Sequence, residues 1–333
     1  METAAPARPT MIRARTLSSS AVECRSFSAE PMLISPENTC SSSPTKLSST
    51  SRLTARETAS TGLLIVPHQT VIDIEVDCQG DRIYWSDASG HSLRSSSMNG
   101  TNLESYLSNT LKFPEGIAID WASRNIYYAD SVKDVIGVAS LDGKMHKTLL
   151  SDGLVNTRDL AIDLDDRRLY YADWNRERPI IGRMDLDGSN NEVFIEDDIQ
   201  LPNGIVVVPS RHELCWLDAG TKRLSCIGTD GRNRRTVFAS LEHPFGLTVH
   251  NEQRFYWTDW KDKRVHSVSI YGQGYTSFAT SIGTSANLFG ITAVNKQCYG
   301  SPTSCANNNG GCEKMCLPGR TAVKCVCPEG EDC

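Results

Sequence analysis

The chain has 333 residues, of which 39% are hydrophobic, and a formal net charge of -6. A chain of this length can bury a full core, and its mean hydropathy of -0.34 argues against a membrane protein. The acidic balance gives no reason to expect a nucleic-acid partner. No apolar run approaches the length of a membrane-spanning helix.

Residues 1–62 differ in composition from the rest of the chain. Ser, Thr, Ala, Pro and Arg dominate there, and no period is visible, so we predict a disordered segment. The segment lacks the apolar core of a secretion signal. Because later features are typical of extracellular proteins, we expect the sequence to be a fragment or to carry an incorrect N-terminus. Cys24 and Cys40 have no predicted partner.

From residue 71 onwards, a short apolar strand recurs six times. The strands align on Ile74, Ile117, Leu160, Ile205, Leu247 and Ile291, and the steps between them are 42 to 45 residues. This period is typical of four-stranded β-propeller blades. The predicted inner strands are Val71-Asp77, Pro114-Asp120, Thr157-Asp163, Pro202-Val208, Pro244-His250 and Leu288-Val294.

Each complete repeat continues in the same order. An aromatic strand ends in an aspartate, and a hairpin turn such as Asp142-Gly143 leads to a polar outer strand. We expect the repeated aspartates to hold adjacent blades by hydrogen bonds: Asp87, Asp130, Asp173, Asp218 and Asp259. The sequence thus predicts an all-β, six-bladed propeller over residues 63–298. The sixth inner strand runs into a cysteine-rich tail, so its partners must precede Val71. Leu63-Val66 supplies one of them, and whether this blade is complete stays open.

One face of the predicted propeller carries a varied set of side chains. The first two strands of a blade are antiparallel, so the start of one and the end of the other share a face. Six different residues lie two positions before the aligned aliphatics: Ile72, Glu115, Arg158, Asn203, Phe245 and Phe289. A backbone constraint would repeat one residue type, whereas this variety favours recognition of an asymmetric partner.

Two tryptophans follow the aromatic strands on the same face. We predict that Trp174 and Trp260 are exposed and take part in binding; the alternative is that they fold into neighbouring loops. The predicted partner-binding residues are Glu115, Arg158, Trp174, Asn203, Phe245 and Trp260.

An enzyme is the least favoured class. Glu115 and Asn203 would suit the metal site of a propeller lactonase, but Phe245 and Phe289 cannot ligate a metal and Arg158 would repel one. No nucleophile motif or phosphate-binding loop is present. We therefore predict no catalytic residues, no metal and no cofactor.

Cysteines cluster in the second half of the chain. Cys215 and Cys226 lie on successive predicted strands, and Cys78 with Cys298 could join the first blade to the end of the ring; buried free thiols are the alternative for both pairs. The last six cysteines allow 15 pairings. A zinc site is the competing interpretation for four of them: Cys312, Cys316, Cys325 and Cys327.

Asn99-Gly100-Thr101 is a glycosylation sequon at a predicted hairpin turn. Asn-Gly is also favoured at such turns for its backbone conformation, so glycosylation of Asn99 stays open.

Ile83-Asp87 and Phe255-Asp259, which read IYWSD and FYWTD, resemble the YWTD repeat of class B propellers of the low-density-lipoprotein receptor. Residues 299–333 resemble an EGF-like module, in which Asn308-Gly311 precedes Cys312. The resemblance implies three disulfides: Cys305–Cys316, Cys312–Cys325 and Cys327–Cys333.

Tyr171-Arg176, Leu201-Gly204 and Leu214-Thr221 are similar to the C-terminal region of the nidogen family, and the likeness covers about residues 63–333. It implies a secreted basement-membrane protein that docks an EGF-like module of a laminin γ chain, with other matrix partners open. Asn203 would meet an inserted asparagine of the partner. Thr157-Asp159 replaces the usual Pro-Arg-Gly, so we expect the local turn to differ. The alternative is an ectodomain fragment of an LDL-receptor-related endocytic or Wnt co-receptor.

Overall fold

The computed structural model describes residues 12–14, 31–34, 62–64, 69–280, 287–295 and 297–332. Strands dominate these residues, which contain no α-helix. The three short 3-10 helices among them are Pro209–Arg211, Ser304–Ala306 and Asn308–Gly311. None of the described helices has the length and apolar character needed to cross a membrane.

Five four-stranded antiparallel sheets form the blades of a β-propeller. From the inner to the outer strand, blade 1 has Val71–Asp77, Arg82–Asp87, Ser92–Ser97 and Glu104–Tyr106; blade 2 has Pro114–Asp120, Asn125–Asp130, Val135–Ser140 and His146–Leu150; blade 3 has Thr157–Asp163, Arg168–Asp173, Ile180–Asp185 and Glu192–Ile195; blade 4 has Pro202–Val208, Glu213–Asp218, Arg223–Gly228 and Arg235–Ala239; blade 5 has Pro244–His250, Arg254–Asp259, Arg264–Ser269 and Thr276–Ala279. The five inner strands have the predicted bounds.

The sixth sheet differs from a regular blade. Its inner strand, Ile291–Ala293, is shorter than predicted and pairs antiparallel with Pro31–Ile34. Ile12–Ala14 then pairs in parallel with Pro31–Ile34 and with Gly62–Leu64. The described residues thus form five regular blades, not six. The predicted strand Leu63-Val66 lies partly outside them, as does most of the 1–62 segment, although two of these short strands fall within that segment.

The chain after blade 5 returns to blade 1 and closes the ring. The backbone N–H of Gly290 donates to the carbonyl of Ile72 over 2.7 Å. A Cβ on Gly290 would lie 2.6 Å from the Cα of Asp73, so only glycine permits this approach. A disulfide between Cys78 and Cys298, with 5.4 Å between the Cα atoms, ties the two ends together.

Aromatic side chains fill the core between the blades. Trp85, Trp216 and Trp257 are almost fully buried. Tyr127 of blade 2 is also buried, and its hydroxyl donates to the carbonyl of Leu186 in blade 3 over 2.7 Å. Burial without the hydrogen bond would be costly, so these aromatic residues pack and also join adjacent blades.

We expect Tyr127→Phe to lower the free energy of unfolding by about 1 kcal/mol, because it leaves the Leu186 carbonyl without its donor while keeping the ring. Urea denaturation of the two proteins measures this. Tyr275→Phe, at a side chain that is 48% exposed, is the control and should change it by less than about 0.5 kcal/mol.

The repeated aspartates do not bridge blades, as the sequence analysis expected. Each accepts hydrogen bonds from the backbone leading into the inner strand of its own blade; Asp130, for example, binds the N–H groups of Lys112 and Phe113. The same carboxylate also accepts from Val132 and Lys133 in the following turn. The prediction was wrong about the partners because the loop that enters a blade folds over the end of its second strand.

The C-terminal tail packs beneath blades 2 and 3. It contains the strands Met315–Pro318 and Val323–Val326 and disulfides between Cys305 and Cys316 and between Cys312 and Cys325. Cys327 is also disulfide-bonded, and its expected partner Cys333 lies outside the described residues. Met315 and Leu317 are buried in the core of blades 2 and 3. A further disulfide, between Cys215 and Cys226, crosses adjacent strands of blade 4.

Candidate partner-binding face

A register shift at the start of each blade's inner strand shapes the mouth of the propeller. In blades 2, 4 and 5 the ladder skips from the first residue of the strand to the aligned aliphatic, as between Pro202 and Ile205. Such a bulge frees the intervening side chains from the regular alternation and aims them anew. In blade 3 the shift is shorter, since Asp159 already pairs with Ala172. The local difference expected at Thr157-Asp159 is therefore present.

One side of the mouth is polar. Nη1 of Arg158 lies 2.6 Å from Oε1 of Glu115, and the Ser131 hydroxyl donates to the same oxygen over 3.0 Å. The Arg158 guanidinium lies 4.1 Å from the ring centroid of Trp174, a cation–π contact. Burial raises the pKa of Glu115, and the charge of Arg158 opposes that rise. We call Glu115, Arg158 and Trp174 the polar cluster.

The opposite side of the mouth is aromatic. Phe245 stacks on Trp260 with 4.7 Å between ring centroids, and Phe289 meets both rings edge-on at 5.3 and 5.1 Å. His243 stacks on Trp260 at 5.5 Å. We call Phe245, Trp260 and Phe289 the aromatic cluster. His243 was not predicted, because it precedes the periodic strand.

The two tryptophans are half-buried, not exposed as predicted. Nε1 of Trp174 donates to the carbonyl of Pro202 over 2.7 Å, and Nε1 of Trp260 donates to the carbonyl of Leu288 over 2.6 Å. Each indole is thus anchored to the inner strand that follows its blade. This anchoring fixes the ring orientation while one part of each ring stays open at the mouth.

Asn203 lies between the two clusters. Its side chain is 3% exposed, and its Nδ2 donates to the carbonyl of Pro244 over 2.6 Å. Its Oδ1 and the Nε of Arg158 are both buried and have no hydrogen-bond partner among the described residues. Both residues line a small depression with Ile72 and Phe245. Buried polar atoms are rarely left unpaired, so this spot suits a partner group that both donates and accepts.

Below the mouth, three carboxyl groups line the central channel, and the sequence analysis missed them. Burial raises the pKa of Asp73 to about 7 and that of Glu75 to about 8, and it raises the pKa of Asp159 well above its usual range. The described channel lining includes no Lys, Arg or His side chain. We call Asp73, Glu75 and Asp159 the throat acids.

We expect Glu75→Gln to flatten the pH dependence of stability. A carboxyl with a raised folded pKa gives most stability below its unfolded pKa, and that stability is lost as the pH rises through about 8. Glutamine keeps an acceptor for the Thr292 hydroxyl, which lies 3.2 Å from Oε2 of Glu75. Urea unfolding at pH 5 and pH 8 should show the variant more stabilised at pH 8. An equal effect at both values would contradict this.

The structure gives no support for a metal at the mouth. Among the described residues, one group of at least three potential His, Cys or carboxylate ligands lies close enough to hold an ion, namely Glu213, Cys215 and Cys226. Both of its cysteines are used in a disulfide, and Glu213 is paired with Arg211 and Arg235. Disulfide sulfurs are not thiolate ligands, so the donor set does not fit a metal site.

The family model of the low-density lipoprotein receptor repeat class B matches residues 81–121, 124–164 and 167–208. Among curated proteins, nidogen of Drosophila melanogaster is 39% identical over 80% of this chain and 20% of its own length. Nidogen-1 of Mus musculus is 40% identical over 85% of the chain and 23% of its own length. Low-density lipoprotein receptor-related protein 4 of Homo sapiens is 40% identical over 79% of the chain and 14% of its own length.

The chain thus spans about a fifth of the length of the nidogens that it matches. A chain in the crystal structure of a nidogen/laminin complex has 33% sequence identity and a TM-score of 0.67, covering 70% of this chain and 88% of that one. The class B repeats, the nidogen relatives and this structural match together show that the chain belongs to the nidogen family of class B repeat propellers.

Proposed function

We propose that this chain is a matrix-binding protein whose propeller mouth docks an EGF-like module of a laminin γ chain. The observation that carries the proposal is the 33% identity to 88% of a chain from a nidogen/laminin complex. The proposed contact residues are Glu115, Arg158, Trp174, Asn203, Phe245 and Trp260. They surround one depression on the face that the propeller symmetry leaves open.

The two clusters supply complementary interactions to such a partner. The aromatic cluster offers a rigid apolar platform, since its rings already stack on one another and lose little freedom on binding. The polar cluster offers a buried charge pair and an oriented guanidinium. Asn203 between them has an acceptor to offer a polar side chain. Apolar anchors beside a few orienting polar groups are typical of binding hot spots.

We further propose a six-bladed propeller over residues 63–298, an EGF-like module over 299–333 and a disordered segment over 1–62. The return of Ile291–Ala293 beside blade 1 and the Cys78–Cys298 disulfide support a sixth blade position. The two disulfides and the hairpin of the tail support the module. Glycosylation of Asn99, which is exposed in its turn, stays a prediction.

The proposed location is the extracellular matrix, where disulfides form and persist. We propose a binding role without catalysis. The carboxylate that a propeller lactonase would use, Glu115, is already engaged by Arg158 and Ser131. A metal would have to displace the guanidinium at 2.6 Å, so the mouth is better suited to docking than to Lewis-acid chemistry.

The second candidate function is that of a receptor ectodomain. It is favoured by the 40% identity to the human receptor-related protein 4, which equals the identity to mouse nidogen-1. The two candidates differ in partner, so a direct comparison of partners separates them.

The test is to secrete the full chain behind a heterologous signal and measure its binding to recombinant short-arm fragments of laminin γ and laminin β by surface plasmon resonance. Saturable binding to the γ fragment, and none to the β fragment, is the expected result. Folded protein that binds neither fragment would overturn the laminin proposal and favour the receptor candidate.

A further inference from the structure

We propose that Asp73 and Asp159 are positioning residues of the mouth and that partner docking takes up a proton at these throat acids. This inference rests on the proposed function and adds its regulation. It starts from one position of the inner strand, the residue before the aligned aliphatic. Blades 2, 4 and 5 and the sixth inner segment have glycine there, whereas blades 1 and 3 have these two aspartates.

Each aspartate spans from the preceding blade to the following one. The backbone of Asp159 packs on Gly116, where a Cβ would lie 2.5 Å from the Asp159 Cα. Its Oδ2 accepts from the N–H of Ile205 in blade 4 over 2.8 Å. Asp73 packs in the same way on Gly290, and its Oδ2 accepts from the N–H of Ile117 over 2.9 Å.

These hydrogen bonds hold the strands that carry mouth residues. Ile205 lies two residues after Asn203, and Ile117 lies two residues after Glu115. Both aspartates also line the depression beside Asn203 and Arg158. Their carboxyl groups therefore set the position of the strand at the point where a partner would insert.

The surroundings of the two carboxyls are acidic or neutral. Glu115 acts on Asp73 from blade 2, Asp159 and Asp73 act on each other, and Glu75 acts on both from blade 1. The sixth inner strand contributes the hydroxyl of Thr292. The nearest basic group of the mouth, Arg158, is paired with Glu115 at 2.6 Å. No described basic side chain is left to neutralise the throat, so protonation relieves the repulsion between these acids.

A partner seated on the mouth would cover the throat from solvent. Covering an acid disfavours its charged form, so the bound state holds protons more tightly than the free state. By linkage, affinity then increases as the pH falls, by at most about tenfold per pH unit for one proton taken up. Between pH 8 and pH 6 we expect the affinity for a laminin γ short-arm fragment to increase about threefold to thirtyfold.

The test is titration calorimetry of the full chain with that fragment at pH 6, 7 and 8, in two buffers of different ionisation enthalpy. Asp73→Asn combined with Asp159→Asn keeps the acceptors for Ile117 and Ile205, so this variant should bind but lose most of the pH dependence and proton uptake. Asp159→Ala removes the acceptor and should weaken binding at every pH. Asp142→Asn, in an outer turn, is the control and should match the wild type.

Binding by the wild type without proton uptake, or proton uptake unchanged in the double variant, would overturn this inference alone. If the folded wild type binds at no pH, the proposed function fails and the inference fails with it. Urea unfolding of each variant shows whether it is folded, and a pH profile that differs between the folded asparagine variant and the wild type is a result that a purely structural role would not produce.

Discussion

Replacing Cys78 and Cys298 together with alanine is expected to lower the free energy of unfolding by about 5 kcal/mol. The two residues are 220 apart in sequence, and cross-linking so long a loop removes a large amount of conformational entropy from the unfolded chain. The disulfide also ties blade 1 to the chain that closes the ring. Guanidinium denaturation of the wild type and the variant measures the difference.

The two single replacements serve as controls for this prediction. Either one alone breaks the same disulfide, so each should cost nearly as much as the pair, and the effects should not add. Costs that add up across the two sites would mean that the stability comes from local packing at Cys78 and Cys298 instead of from ring closure.

Replacing Trp260 with alanine is expected to weaken docking of a laminin γ fragment by about 2 to 4 kcal/mol. The change removes the centre of the aromatic cluster, on which Phe245, Phe289 and His243 all pack. It also frees the carbonyl of Leu288, which accepts from the indole. Surface plasmon resonance of the folded variant gives the affinity.

Trp121 offers a matched control at the other end of the channel. It is also half-buried, and its Nε1 donates to the carbonyl of Tyr299 over 2.8 Å. Trp121→Ala should therefore cost stability and leave docking unchanged. Trp260→Phe, which keeps an aromatic ring but loses the hydrogen bond, should lose less affinity than Trp260→Ala. Equal loss of docking in Trp121→Ala and Trp260→Ala would show that the effect comes from lost stability.

The repeat period predicted the propeller and the bounds of its five inner strands. It did so because each blade buries the same apolar strand between its neighbours, so the pattern is repeated at each blade. The same register placed Glu115, Arg158, Asn203 and Phe245 at one mouth, where the structure brings them together.

The depth of each mouth residue could not be predicted. Trp174 and Trp260 are half-buried because the strand of the next blade ends close to each ring and presents a carbonyl to the indole. This contact depends on the relative height of adjacent blades, which one repeat does not encode. The sixth sheet was also beyond prediction, since Ile12–Ala14 and Pro31–Ile34 come from a segment without a strand pattern.

The throat acids had a signal that the sequence analysis only half used. It noted Asp159 as a departure from the expected glycine but gave it no role, and it assigned none to Asp73. Charged residues at a position otherwise held by glycine indicate that the side chain has room and a partner. Here that partner is a backbone N–H of the next blade.

The most direct test of docking at the mouth compares two asparagines. Asn203 at the mouth and Asn125 at the opposite end are each 3% exposed, and each donates from Nδ2 to a carbonyl, of Pro244 and Cys316 respectively. Titration calorimetry with the laminin γ fragment should show that Asn203→Ala weakens binding about tenfold or more, while Asn125→Ala leaves it within about twofold. Folded Asn203→Ala protein that binds like the wild type would contradict the account, because the partner would then not insert at this face.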